Sequence, residues 1–136
     1  MFGDAIISYL IDDSTLAGLL GDADFSGDTK IYPIKSPESA SKGHIVFNFP
    51  SIGGIDELID EAQMYLRITT DSYSDSVEIM ERLKYLLDKE SAIQNISDDE
   101  YYIYYVKQSS GGGDYRDVDT GDYVKVLIYD IKYRKK

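Results

Sequence analysis

Apolar positions along this chain switch between helical and strand spacing at well-marked points. Ile6, Ile7, Leu10 and Ile11 recur at helical spacing, and Leu16, Leu19 and Leu20 continue the pattern. Between the two sets, Asp12-Asp13-Ser14 either caps a second helix or interrupts one long helix, and Gly21 stops it. Residues 21–28 read as a polar loop. Residues 30–34 predict a short strand, which Pro33 confines to an edge or a strand end. In residues 44–49, Ile45, Phe47 and Phe49 alternate with His44, Val46 and Asn48, which predicts a strand buried mostly on one face. Pro50 is expected to end it. Residues 51–61 carry Gly53-Gly54 and four acids, as an exposed connection would. Alternation resumes over residues 62–70, with Met64, Leu66 and Ile68 opposite Tyr65, Arg67 and Thr69.

The clearest helix covers residues 75–89. Val77, Met80, Leu83 and Leu87 form its stripe, widened by Ile79 and Leu86. Ser72 or Ser74 caps its start, and Glu78 precedes Arg82 by four residues, the favourable order for an ion pair along a helix. Residues 101–108 and 122–133 are rich in Tyr, Val and Ile and flank Gly111-Gly112-Gly113, so two strands are expected around a glycine-rich hairpin loop. The order α–β–β–β–α–β–β implies a single α+β domain spanning residues 1–136. Its expected architecture is a mainly antiparallel sheet of about four to five strands, with two main helices packed on one face.

Composition narrows the function classes. No stretch approaches the ~18 consecutive apolar residues of a membrane span, and Met1-Phe2-Gly3-Asp4 does not read as a signal peptide, so a soluble cytoplasmic protein is expected. The absence of cysteine removes disulfides and thiolate chemistry. A net charge of −11 argues against binding duplex nucleic acid through phosphates. The charge is uneven: residues 1–100 hold 20 acids and 7 bases, residues 101–136 hold 5 acids and 7 bases.

Each candidate for chemistry lacks a partner. His44, the only histidine, heads an apolar strand with no nucleophile or orienting carboxylate in its local sequence. Asp22, Asp24, Ser26 and Asp28, with Gly27 at the sixth place, resemble the opening of a calcium loop. The twelfth place, which needs a bidentate Glu, is Pro33. Asp12-Asp13 and Asp98-Asp99-Glu100 have the spacing of caps and turns, not of acids facing across a cleft. The glycine pairs lack the Lys and Ser/Thr of a phosphate loop. The expectation is a non-enzyme with no cofactor and no metal site.

Contact-making is the alternative to chemistry. Eight of thirteen tyrosines lie in the last third. In the expected strand, Tyr101 and Tyr105 share a face with Ile103, and Tyr102 and Tyr104 share the other with Val106; Tyr123, Tyr129 and Tyr133 line one face of the last strand. These are either ordinary sheet residues or two faces that both meet protein. The terminal Lys132-Tyr133-Arg134-Lys135-Lys136 is either a solvated basic end or a contact for an acidic surface on a neighbouring subunit. Residues 51–61 and 109–121 are the loops most suited to partner contacts, which nominates Asp56, Glu57, Asp60, Glu61, Tyr102, Tyr104, Tyr115 and Arg116.

Several phrases together resemble the tail terminator proteins of long-tailed bacteriophages, also called tail completion or tail-to-head joining proteins. An N-terminal helix with Leu10, Leu16 and Leu20 leads to Lys30-Ile31-Tyr32-Pro33, and a Pro/Ser/Ala loop precedes His44-Ile45-Val46-Phe47. Tyr65-Leu66-Arg67-Ile68-Thr69-Thr70 is followed by Ser72-Tyr73-Ser74-Asp75 and the long helix, and residues 115–133 resemble the family's closing strand pair. The resemblance covers nearly the whole chain as a pattern of elements. It implies a non-catalytic virion protein that forms a ring, usually a hexamer, on the tail tube. That ring ends tube polymerisation and joins the tail to the head connector or stopper protein. DNA would pass through without specific binding, and the protein would move from host cytoplasm into the virion tail or neck. Another neck or head-completion protein and an acidic DNA-mimic inhibitor are the alternatives.

Overall fold

The computed structural model describes residues 2–21, 30–33, 43–54, 60–87, 97 and 99–136. Helices α1 (Phe2–Ile11) and α2 (Ser14–Leu19) open the chain, followed by β1 (Ile31–Pro33), β2 (His44–Gly54) and β3 (Asp60–Thr70). Helix α3 (Tyr73–Leu87) then leads into β4 (Tyr101–Arg116) and β5 (Tyr123–Lys135). These strands form one sheet in the order β1-β2-β3-β5-β4. The domain is α+β and mainly antiparallel, but the sheet is mixed, because β1 runs parallel to β2. It also carries three helices among the described residues where two main ones were expected.

The third helix arises at Asp13. Its backbone is extended (φ −81°, ψ 113°), and its carboxylate accepts a hydrogen bond from Leu16 N at 2.7 Å, so it ends α1 and caps α2. The break lets Ile6 and Leu10 of α1 and Leu16 and Leu20 around α2 reach the same core. Gly21 follows with φ +85°, a conformation that costs glycine no Cβ clash, and terminates the helix as expected.

Strand β3 lies between β2 and β5, and its alternation translates directly into burial. Ala62, Met64, Leu66 and Ile68 are buried, facing the helices with Leu127, Tyr129, Ile131 and Tyr133 of β5. Helix α3 covers them, in contact with β3, β4 and β5. Its stripe is rotated from the expected one: Ile79, Leu83, Leu86 and Leu87 are buried, whereas Val77 and Met80 are only half-buried. Ser76 occupies the remaining buried position. Its hydroxyl donates to Tyr73 O at 2.6 Å, so a small polar group goes inside already satisfied. The helix begins at Tyr73, with Ser76 N bonded to Ser72 O at 3.2 Å. Arg82 does not turn to Glu78 along the helix. It forks onto Asp13, with Nε to Oδ2 at 2.9 Å and Nη2 to Oδ1 at 2.6 Å, tying α3 to the α2 cap.

Two expected loops are largely strand. β2 runs through Pro50 to Gly54, and the pairing slips between Asn48 and Ser51, so the proline falls where the ladder is already irregular. Beyond the slip, Gly53 pairs with Glu61 and Gly54 with Asp60, so residues 51–54 and 60–61 are the arms of a hairpin. Residues 109–116 likewise belong to β4, and the glycine-rich run pairs with Leu127 and Val126 through Gly111 and Gly113. The true turn is residues 117–122. There Asp117 N bonds Asp122 O and Gly121 N bonds Asp117 O, both at 2.7 Å, with Gly121 at φ +77°. Glycines are tolerable in β4 because, among the described residues, it is an edge strand with one neighbour. Its three register slips also keep that edge from presenting a flat template.

One slip corrects the expected tyrosine faces. Ile103 pairs with Tyr133 and Tyr105 with Lys132, so Tyr104 is an extra residue in β4. Alternation restarts one position late, and Val106 is buried in the core that Tyr101 and Ile103 pack against. Val106 therefore does not share a face with Tyr102 and Tyr104, both of which are exposed.

Candidate functional site

The helices cover one face of the sheet. On β3 and β5 the core residues all belong to one strand parity, which leaves Tyr65 and Arg67 of β3 and Val126 and Ile128 of β5 on the opposite face. On that face, at the end of the sheet where β4 begins and β5 ends, tyrosines and cations interleave. Tyr102 and Tyr104 stack at 6.3 Å and stand about 40% exposed. The Arg134 guanidinium sits 5.2 Å from the Tyr102 ring and 5.9 Å from Tyr104. Lys136 Nζ lies 4.6 Å over Tyr102, and Lys132 Nζ lies 5.8 Å over Tyr105. Lys132 also meets Glu61 at 3.6 Å. Each cation–π contact is worth roughly 0.5–1 kcal/mol at an exposed site, so together they hold the tyrosines upright without hiding them.

A second cluster lies at the far end of the β4–β5 pair, on the helix side. Lys125 faces the core side of β5 and is buried. Its Nζ is 3.0 Å from Asp114 Oδ2 and 3.3 Å from Tyr73 OH, and 4.6 Å over the Tyr73 ring. Tyr73 OH in turn donates to Asp114 at 2.8 Å. Burial opposes the charge on Lys125, but the bonds to Asp114 and Tyr73 outweigh it and raise its pKa above the ordinary 10.5. The bond from Lys125, then that from Tyr73, hold the Asp114 carboxyl below the usual range. The pair borders a shallow cleft of about 380 Å³ between α3 and the sheet, also lined by Met80, Gln108 and Leu127. The geometry of the Lys125–Asp114–Tyr73 group is that of a strut between the start of α3 and the sheet edge.

The two ends of this strut are solvated unequally, which fixes a prediction. Asp114 is nearly half exposed, whereas the Lys125 side chain is 7% exposed. Asp114→Ala strands a buried ammonium, while Lys125→Met leaves a carboxylate that water can solvate. In urea titrations Asp114→Ala is expected to lower the unfolding midpoint clearly more than Lys125→Met.

The residues nominated from sequence fall in separate places. Asp56 and Glu57 lie outside the described residues, as does the Asp22–Asp28 calcium-like stretch. Asp60 and Glu61 pair with Tyr133 and Lys132 at the start of β3, beside the Tyr102–Tyr104 cluster. Tyr115 and Arg116 sit at the other end of β4, Tyr115 exposed and opposite Val124. Arg116 there packs 5.7 Å from the Tyr123 ring and donates to Gly121 O at 3.2 Å. The β5 partners of Tyr102 and Arg116, Arg134 and Tyr123, lie eleven residues apart, roughly 36 Å of extended strand, so the two cannot form one contact patch. Lys132, Arg134 and Lys136, which complete the first cluster, were visible in the sequence only as a basic run; their alternation with tyrosines needs the β4–β5 register. His44 pairs with Thr69 at the head of β2, its ring 6.2 Å from Tyr32. Among the described residues no three His, Cys, Asp or Glu side chains group as metal ligands, and no helix is long and apolar enough to cross a membrane.

The architecture therefore defines a class: an α+β domain whose described residues form three helices on one face of a mainly antiparallel sheet. A solved chain in the virion of a native gene transfer agent particle has the same fold. It superposes with a TM-score of 0.68 at 10% sequence identity, covering 95% of this chain and 91% of that one. No protein-family model and no curated protein matches the sequence.

Proposed function

We propose that this chain is a virion structural protein without catalytic activity, and specifically a tail terminator. The observation that carries the reading is the near end-to-end fold match to a chain of an assembled virion, over 95% of one chain and 91% of the other. The sequence phrases that resemble tail terminators fall on α1, β1, β2, β3, α3 and the β4–β5 pair, so the resemblance follows the fold element by element. In this role the protein forms a ring on the last ring of the tail tube, stops polymerisation and presents a surface to the head connector. Such a ring needs two different adhesive faces per subunit. An exposed aromatic–cationic sheet face at one side and a helical layer at the other satisfy that need. The net charge of −11 suits a channel that passes DNA without holding it.

The test is assembly. Added to polymerising tail-tube protein from the same particle, the chain is expected to cap tubes and shorten their length distribution in negative-stain micrographs. Particles lacking it are expected to carry overlong or headless tails. Tubes that grow to the same length with and without the chain would exclude the terminator role.

A further inference from the structure

Resting on the ring-forming reading above, we propose which two faces meet: the Tyr102–Tyr104–Arg134–Lys136 face of one copy docks on the acidic outer face of α3 in a second copy. Charge complementarity between opposite sides of the domain carries the inference. On α3, the residues turned away from the core are Asp75, Glu78, Glu81 and Tyr85, all exposed. Spaced at three, three and four residues, they form one stripe along the helix. Two cations flank that stripe: Arg82 is drawn sideways onto Asp13 and stacks 4.7 Å from the Tyr85 ring, and Lys84 sits half-buried three residues past Glu81. Asp75, Glu78 and Glu81 make no ion pair among the described residues.

The other surface is its complement in charge and position. α3 lies on the core side of the sheet, while Lys132 and Arg134 project from the opposite side. Arg134 and Lys136 have tyrosine rings beneath them but no carboxylate within ion-pair distance among the described residues. A cation held over an aromatic face is pre-positioned and still has its outward hydrogen-bond donors free, an arrangement suited to receiving carboxylates. The exposed Tyr102 and Tyr104 add contact area with polar tips, and Tyr85 offers the same from the α3 side. Because the two surfaces differ and lie on opposite sides of one domain, the contact is head-to-tail. It closes into a ring if the rotation per subunit permits.

Charge reversal with rescue tests this directly. By sedimentation velocity in low salt, the wild-type chain is expected to self-associate, and ~0.5 M salt should weaken that association. R134E/K136E and E78K/E81K, all at exposed positions, are each expected to weaken association at least ~tenfold while leaving the far-UV spectrum unchanged. Mixing the two variants recreates a complementary pair and should restore assembly. As a second readout, the cysteine-free background allows E78C and R134C chains to be mixed with a short bismaleimide. A crosslinked heterodimer is expected, and E78C alone should give none. Wild-type-like association of R134E/K136E, no rescue on mixing, or a wild-type chain that stays monomeric at millimolar concentration overturns the proposal. A chain that associates through these faces yet fails to cap tail tubes would leave this contact standing and remove the terminator reading instead.

Discussion

Leu66→Ala is expected to lower the unfolding free energy by about 2–5 kcal/mol. Leu66 is fully buried at the centre of β3, the middle strand of the sheet, paired with Phe47 on β2 and Leu127 on β5. Truncation there removes apolar contacts with α3 above and leaves a void that neither flanking strand can close without breaking its own ladder. Paired strands hold their backbones fixed, so little collapse relieves the cavity. Against a typical total stability of ~5–15 kcal/mol, this is enough to make the domain marginal at 37 °C. Chemical denaturation monitored by tyrosine fluorescence measures it. Arg67→Ala, one residue along on the uncovered face, is the control and is expected to change stability by less than about 1 kcal/mol. Equal losses for the two variants would mean that β3 is not buried on one face only.

Asp13→Ala should cost about 2–3 kcal/mol, because one carboxylate does two jobs. It caps α2 through Leu16 N and receives both prongs of Arg82 from α3. The two side chains are only 14% and 26% exposed, so water replaces the lost bonds poorly. The hydrogen bond from Arg82 is the main cause that holds the Asp13 pKa below its ordinary 3.8; burial opposes it, and the Leu16 amide adds to it. A carboxylate whose folded pKa is depressed contributes stability that is fully present above the unfolded value. That contribution is lost as pH falls from about 3.8 through the lower, folded pKa. Wild-type melting temperature is therefore expected to fall below pH 4 more steeply than that of Asp13→Asn, the two curves converging in strong acid. Arg82→Ala should reproduce most of the loss, and the double variant should cost less than the two singles added together. Additive losses would show that Asp13 and Arg82 act separately.

Much of the fold was legible because burial and periodicity coincide where strands are central. Ala62, Met64, Leu66 and Ile68 alternate in sequence and are buried in fact, since the helices cover that one side of β3. Asp12-Asp13-Ser14 offered a cap or an interruption, of which the cap at Asp13 is realised, and Gly21 announced a stop, through local chemistry that needs no tertiary partner. Pro50 and Gly111–Gly113 misled for the converse reason. Both residue types weaken a strand taken alone, yet pairing to β3 and β5 carries β2 and β4 through them by way of register slips. Propensity is local, whereas a ladder of long-range hydrogen bonds is not.

The tyrosine- and cation-rich sheet face and the acidic face of α3 follow the same division. The sequence by itself determined their ingredients: an acidic first hundred residues, a basic end and eight late tyrosines. Only the tertiary structure decided which of these meet. The extra residue at Tyr104 turned Val106 inward and left Tyr102 and Tyr104 outside, and the β4–β5 register set Arg134 and Lys136 over their rings. Arg82 left its helical neighbour Glu78 for Asp13, sixty-nine residues away in sequence, which is what leaves the outer stripe of α3 acidic. Side-chain partners across strands and between helices are fixed by register and packing angle, and neither is written in any single segment of the chain.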